Sequence, residues 1–364
     1  MICENCFESV SVSAYIQTKG KKYSVPFHCN ECENESFYKL EKFLLKEKIQ
    51  SIILTLYDHE YQHGLVGSAS MMMETGDNIE MFLPMTKSLS DICVDLFDMD
   101  YEEERFYNLL EQKHKDDCDY FNEKDDEVWI NMGCNWTDED RILLNWQEFS
   151  QNVKHKARFF DHSSYSRTNE LDTLKSVFLI LKREITVHLY RARECSNENT
   201  LAKIKSNPRL ELGRSPVEFA GYNRFSPAGI SYIYLANNKD TALREIRLKD
   251  EVKGAIGNFE IKGLELVDLR KETLESIIKN PFSDNFTAEF FCSIEILKNF
   301  ISDITEEVHE DDKYIDYVPT QILSEYIWSL GYEGFIFDSS LCDGDNYVLF
   351  EDDKLNYIDY EILN

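Results

Sequence analysis

Apolar residues recur along this chain with two different periods, and the change between them divides it. From about residue 38 to 165 they fall mostly at three- and four-residue steps, the spacing of a helix face. FYKLEKFLLKEKIQSIILTLY (37–57) and LSDICVDLFDMDYEEERFYNLLEQ (89–112) both follow it, and TDEDRILLNWQEFSQNVKHKARFF (137–160) adds a start signal, Thr137 with Asp140 three residues on. The acidic KDDCDYFNEKDDEVW (115–129) reads as a solvated break. A further helix-rich piece, ELDTLKSVFLILKREITVHLYRARE (170–194), leads into a different texture. There, short runs rich in β-branched and aromatic residues (ISYIYLA, GAIGNFEI, LELVDL, GFIFDSS, NYVLF) alternate with helical stretches such as TALREIRL and PTQILSEYIWSLGY. That mixture predicts an α+β domain, and the acidic EEVHEDDK (306–313) reads as a loop within it.

Length and composition fit several domains. The chain has 364 residues, 43% of them hydrophobic, with 23 Phe and 20 Tyr, enough to bury a sizeable interior. Its net charge of -29 argues against sequence-independent nucleic-acid binding and against docking on anionic lipid. A small anionic ligand stays open, because clustered arginines act at short range. No stretch reaches the apolar length of a membrane span, and MICENCFESV lacks the pattern of a secretory signal. A cytoplasmic protein with reduced thiols is therefore expected.

Among the 10 cysteines, four are paired by spacing: Cys3-x2-Cys6 and Cys29-x2-Cys32. Two thiolates two residues apart can turn toward one ion, and two such pairs complete a tetrahedral zinc site with no open position. The intervening SVSVSAYIQTKGKKYSVPF alternates and carries Lys-Gly-Lys-Lys, as a hairpin would. These features predict a structural zinc ribbon over residues 1–37, followed by a helical region over 38–170 and the α+β domain over 171–364.

Within the last domain, NRFSPAGISYIYLANNKDTALREIR (223–247) reads as turn, strand and helix. Two-residue periodicity places Tyr232 and Tyr234 on one side of the strand. Asp240 is placed to cap the helix. On that helix Glu245 falls between Ala242 and Leu248, while Arg244 and Arg247 take the more exposed side. Arg191 and Arg193 alternate with apolar residues in HLYRAR, as on one face of a short strand, Arg224 sits in the turn, and Ser339 and Ser340 end GFIF. Taken singly, each of these arginines reads as a surface salt bridge and Glu245 as a partner of one.

Together they resemble something known. The succession LYRAR, NRFSPAGISYIYLANNKDTALREIR, YVPTQILSEYI and GYEGFIFDSSLCDGDNYVLF resembles the RES domain, over about half the chain. That family is named for its Arg, Glu and Ser, comprises chiefly bacterial toxins that destroy NAD, and has a fold related to ADP-ribosyltransferases. The N-terminal half resembles the cysteine-bearing, HEPN-like helical region that precedes some RES domains. The resemblance implies a multidomain protein: zinc ribbon, α-helical domain, then an ADP-ribosyltransferase-like RES domain. It carries the family arginines onto Arg191 and Arg224, the strand tyrosine onto Tyr234, the glutamate onto Glu245 and the serine onto Ser339, with Ser340 an alternative. Two departures stand out: NRFSPAG replaces a glycine-arginine-tryptophan run, and Asp338 stands where a proline is usual.

The implied chemistry suits these side chains. Cleaving the nicotinamide–ribose bond builds oxocarbenium character that a carboxylate stabilises, as in glycoside cleavage. Glu245 would do this, Arg191 and Arg224 would hold the pyrophosphate, Tyr234 would stack on nicotinamide, and Ser339 or Ser340 would position a phosphate. Water as the attacking group makes a glycohydrolase; inorganic phosphate as co-substrate makes a phosphorylase. The expected role is a toxin or anti-phage defence effector, with an antitoxin or immunity protein, or a second copy of the chain, as partner. Three alternatives remain: an ADP-ribosyltransferase acting on a macromolecule, a HEPN-type ribonuclease using Arg183 and His188, and a non-catalytic zinc-ribbon adaptor.

Overall fold

The computed structural model describes residues 1–59, 86–99, 109–110, 129–131, 146–159, 171–248, 252–278, 280–284, 286–305 and 312–363. The chain forms two compact units, Met1–Arg141 with Ser276–Cys292, and Ile142–Glu275 with Ser293–Asn364. Among the described residues, no helix is long and apolar enough to cross a membrane. The expected Thr137–Asp140 cap, the acidic 115–128 and residues 306–311 lie outside them.

The first unit begins with helix α1 (Val10–Lys19), followed by an antiparallel pair, β1 (Lys21–His28) and β2 (Glu35–Lys39). This corrects the expected hairpin between the cysteine pairs. The alternation of SVSV fits a strand, but Val12 and Ile16, four residues apart, are both fully buried while Val10 is 81% exposed. Ser9 caps the helix, its Oγ accepting from the Val12 amide at 3.3 Å. The strand pair instead brackets Cys29–Cys32. Helix α2 (Lys42–Leu56) then buries Leu45, Ile49, Ile52 and Ile53. Strands β3 (Tyr57–His59) and β4 (Thr86–Lys87), helix α3 (Leu89–Phe97) and strand β5 (Trp129–Asn131) follow. The three strands pair antiparallel in the order β3-β5-β4. The region expected to be helical therefore also carries a small sheet, built from segments too short for the helical period to reveal.

The second unit opens with α4 (Trp146–His155) and α5 (Lys175–Leu181), and the chain then becomes strand β6 (Lys182–Glu194). Sequence periodicity read this stretch as helix-rich, with a short strand only at HLYRAR, which lies within β6. Ile185, Thr186 and Val187 favour a strand, and pairing with a long partner along β6 decides the matter. After β6 come α6 (Glu198–Ser206), α7 (Pro208–Leu212), β7 (Ile233–Ala236) and α8 (Lys239–Glu245). Strand β8 (Gly254–Asp268) precedes α9 (Lys271–Ile278) and α10 (Ala288–Thr305), which the two units share in sequence. Helices α11 (Lys313–Asp316) and α12 (Val318–Ser329) and strands β9 (Gly334–Asp338), β10 (Asp345–Leu349) and β11 (Leu355–Leu363) complete the fold.

The sheet runs β11-β8-β6-β7-β10-β9, and β9 also pairs in parallel with the far end of β8, Leu266 opposite Gly334. Strand β8 can serve β11 at one end and β9 at the other because it is long and interrupted. Gly263 sits at φ 61°, a backbone region open to glycine, and its amide donates to Thr186 Oγ1 at 3.1 Å. That point faces the irregularity in β6 between Ile185 and Val187. The sheet thereby curls on itself around a core of Leu189, Ile233, Leu235, Phe259, Ile261, Ile336 and Leu349. The C-terminal part is an α/β domain.

Candidate active site

A cleft of about 990 Å³ opens on this sheet, at the upper end of the range usual for small-molecule sites. Its lining includes Arg191 from β6, Arg224 from the turn before β7, Tyr234 from β7, Glu245 from α8, Ser340 from the β9–β10 loop and Asn346 from β10. Six side chains from six segments thus meet in one concavity. Ser339 stands beside it, bonded to Glu245.

Glu245 is fixed from two directions. Its Oε1 accepts from Ser339 Oγ at 2.7 Å and from Asn346 Nδ2 at 2.6 Å. Ser339 is itself oriented: its amide donates to the Gly344 carbonyl at 2.8 Å, and its Oγ accepts from the Leu341 amide at 3.2 Å. With that lone pair engaged, the hydroxyl proton is available for Glu245. Gly344 allows the loop to approach α8, since a Cβ there would lie 2.1 Å from Thr241 Oγ1. The cap of α8 is Asn238, whose Oδ1 accepts from the Thr241 amide at 2.8 Å, and not Asp240. Asp240 pairs instead with Arg244 one turn later, at 2.9 Å. Just beyond Glu245 the chain turns sharply, Arg247 adopting φ 48°, and Arg247 lines the cleft.

The cations and the tyrosine are held by the fold. Arg191 Nη1 donates to the Gly213 carbonyl. Burial, with a smaller contribution from Arg193, lowers its pKa to about 10, so it remains cationic at neutral pH. Arg224 Nη1 donates to the Asp303 carbonyl at 2.8 Å, and its guanidinium lies 5.1 Å from the centre of the Tyr317 ring, a cation–π distance. Burial pushes the Tyr234 hydroxyl up to about 12, against the opposing hydrogen bond with Ser226 at 3.3 Å, so it stays a neutral phenol. Tyr232 precedes the strand, does not line the cleft, and packs edge-on against Phe350.

The RES domain family model matches residues 188–360. The C-terminal part of this chain is a RES domain. No curated protein matches the chain. Among solved structures it is similar to the M. tuberculosis MbcT-MbcA toxin-antitoxin complex, at 13% identity and a TM-score of 0.33 over 53% of this chain and 92% of that one. So loose a likeness carries no argument about activity. The cleft residues from Tyr190 to Tyr347 all fall inside the matched span.

Two features of the RES domain escaped the sequence. Asn346 sits in the apolar run NYVLF, where one polar residue gives no signal until its partner is known. Behind the cleft, Arg270 grips buried Asp268 through both carboxylate oxygens, at 2.9 and 2.8 Å, and reaches Asp345 at 3.0 Å. This ties the end of β8 to the start of β10, next to Asn346. Arg183 and His188 lie exposed on β6 rather than on a helix, and Arg183 donates to the carbonyls of Ile180 and Lys182.

Outside the RES domain, Cys3, Cys6, Cys29 and Cys32 converge, with sulfurs 3.5–3.6 Å apart along three edges and all within 4.8 Å. A tetrahedron of Zn–S bonds of about 2.3 Å has edges of roughly 3.8 Å, so the donor set fits a four-thiolate zinc ion. Burial raises the Cys3 thiol to about 11 and pushes Cys6 up as well. Burial opposes ionisation of Cys29 too, but the amides of Glu31 and Cys32 outweigh it and bring it down to about 7. Buried Glu4, next in sequence to Cys3, accepts from the amides of Phe37 and Tyr38 and so ties the first knuckle to β2.

Proposed function

We propose that the RES domain cleaves the nicotinamide–ribose bond of NAD+ in this cleft, with Arg191, Arg224, Tyr234, Glu245 and Ser339 or Ser340 as its working residues. The observation that carries the reading is Glu245: a carboxylate with two donors on one oxygen, in a cleft also lined by Arg191, Arg224 and Tyr234. Both donors reach Oε1, which leaves Oε2 to accept from a ribose hydroxyl and to face the positive charge that develops at the anomeric carbon. The arginines supply planar donors for the pyrophosphate. Tyr234 presents a neutral ring for the nicotinamide. The attacking group is water or inorganic phosphate, and the other product is nicotinamide in either case.

The cellular role we assign is that of a toxin or defence effector that depletes NAD+, held in check by an antitoxin or immunity partner. The cysteine cluster holds a structural zinc ion in this reading, and the first unit serves regulation or assembly. Incubating the full-length protein with labelled NAD+, with and without phosphate, tests it. Free nicotinamide with soluble ADP-ribose, or with its phosphorylated form, supports cleavage. Label on a macromolecule would make the protein an ADP-ribosyltransferase, and intact NAD+ would leave an adaptor.

A further inference from the structure

On the sheet beneath Glu245, the apolar run NYVLF presents one buried amide. In β10, Asn346 stands opposite Ala236 of β7 and Phe337 of β9, and all three line the cleft. Asn346 is only 7% exposed. Burying an amide costs free energy unless it is hydrogen-bonded, so a strand favouring Val or Ile here has no structural reason to choose Asn. Its Nδ2 meets Glu245 Oε1 at 2.6 Å. A carboxylate only accepts, so the amide nitrogen, and not its oxygen, must face it. The backbone around Asn346 is firmly set: Asp345 is held by Arg270, and the Asp345 amide donates to Asn237 Oδ1 at 3.1 Å.

We propose that Asn346 is a positioning residue for Glu245: its amide holds Oε1 and aims Oε2 at the ligand. Ser339 and Asn346 divide this work. The serine approaches from a loop, whereas the asparagine approaches from the sheet floor, its backbone paired on both sides. A hydrogen bond donated to a carboxylate favours its charged form, and a second carboxylate in the donor's place disfavours it. The inference rests on the reading of the cleft as an NAD+-cleaving site.

The test compares the wild type, Asn346→Asp, Asn346→Ala and Glu245→Ala as full-length proteins, in NAD+ turnover across pH and in thermal midpoint. Asn346→Asp keeps the shape and replaces the donor with a second carboxylate, so the pair shares a proton. We expect kcat to fall about 10- to 100-fold, the worth of a hydrogen bond to a charged group, with KM nearly unchanged. The acid limb of the kcat profile moves to higher pH. Asn346→Ala gives a smaller shift in the same direction and serves if aspartate destabilises the fold. An unshifted acid limb in a folded variant, or a loss carried by KM, overturns the proposal. A wild type without NAD+ turnover fails the parent reading instead. The positioning claim is then read from the Glu245 carboxyl titration by NMR, which Asn346→Asp must raise and which, if unmoved, sinks it.

Discussion

The cysteine cluster and the RES cleft both gather polar side chains, but from opposite ranges of sequence. The cluster takes its four sulfurs from two Cys-x2-Cys pairs within the first 32 residues. The cleft draws on residues from 190 to 347, carried by strands, helices and loops. A site made of local pairs is written in spacing and depends little on the rest of the chain. A site made of distant segments is written in topology, and every strand pairing that brings them together becomes part of its chemistry.

That contrast can be broken experimentally, beginning with the cluster. Cys6→Ser, or removal of metal by a strong chelator, is expected to abolish cooperative melting of the first unit, because metal binding there is folding free energy. Metal analysis should find one zinc per chain, and unchanged melting after chelation would refute the assignment. In the cleft, Glu245→Ala should lower NAD+ turnover by roughly 10²- to 10³-fold while leaving the melting temperature in place. Turnover near wild type would remove Glu245 from the site.

Smaller effects probe the supports. Arg191→Lys is not conservative here: the burial that lowers the arginine to about 10 would neutralise a lysine much nearer to pH 7. We expect about a 10-fold loss in kcat/KM near neutral pH, growing as pH rises. A loss independent of pH would mean that shape, and not charge, is what Arg191 supplies.

The smallest effect concerns the Arg270 network and stability. Burial would raise the Asp268 carboxyl, but Arg270 and Thr273 outweigh it and hold it below its ordinary value. A depressed carboxylate stabilises the fold above its unfolded pKa, near 3.8, and loses that contribution as pH falls through the lower folded value. Asp345, raised by burial, works in the opposite direction. Asp268→Asn should therefore flatten the acid side of the melting profile, as read by thermal denaturation at stepped pH. An unchanged slope would show that the pair does not couple to folding.

The sequence carried much of this architecture. The strand runs around Ile233, Gly334 and Asp345 and the helix before Glu245 were visible from period and turn residues, and Cys3, Cys6, Cys29 and Cys32 from spacing alone. Where periodicity misled, a longer-range contact had decided. SVSV looked like a strand, but burial of Val12 and Ile16 made it a helix. KREITV followed a helical run, but pairing with β8 joined it to the strand that the alternation in HLYRAR had indicated. The grouping of Arg191, Arg224, Tyr234, Glu245 and Ser340 followed from family resemblance, not from spacing, since nothing local links positions so far apart. Asn346 lay beyond both routes: its role depends on a single hydrogen bond across 101 positions of sequence.

The closure of the sheet sets an order on synthesis. Strand β7 meets β6 at one residue pair, Tyr190 with Ala236, and takes the rest of its pairing from β10. Until the ribosome has released the segment through Leu349, β7 lacks its main partner, and Glu245 lacks both Ser339 and Asn346. A growing chain therefore holds its arginines and its glutamate without a pocket. If the cleft cleaves NAD+ as proposed, this confines the activity to the assembled sheet. Strands β9 and β10, with the loop between them, act as its arming step.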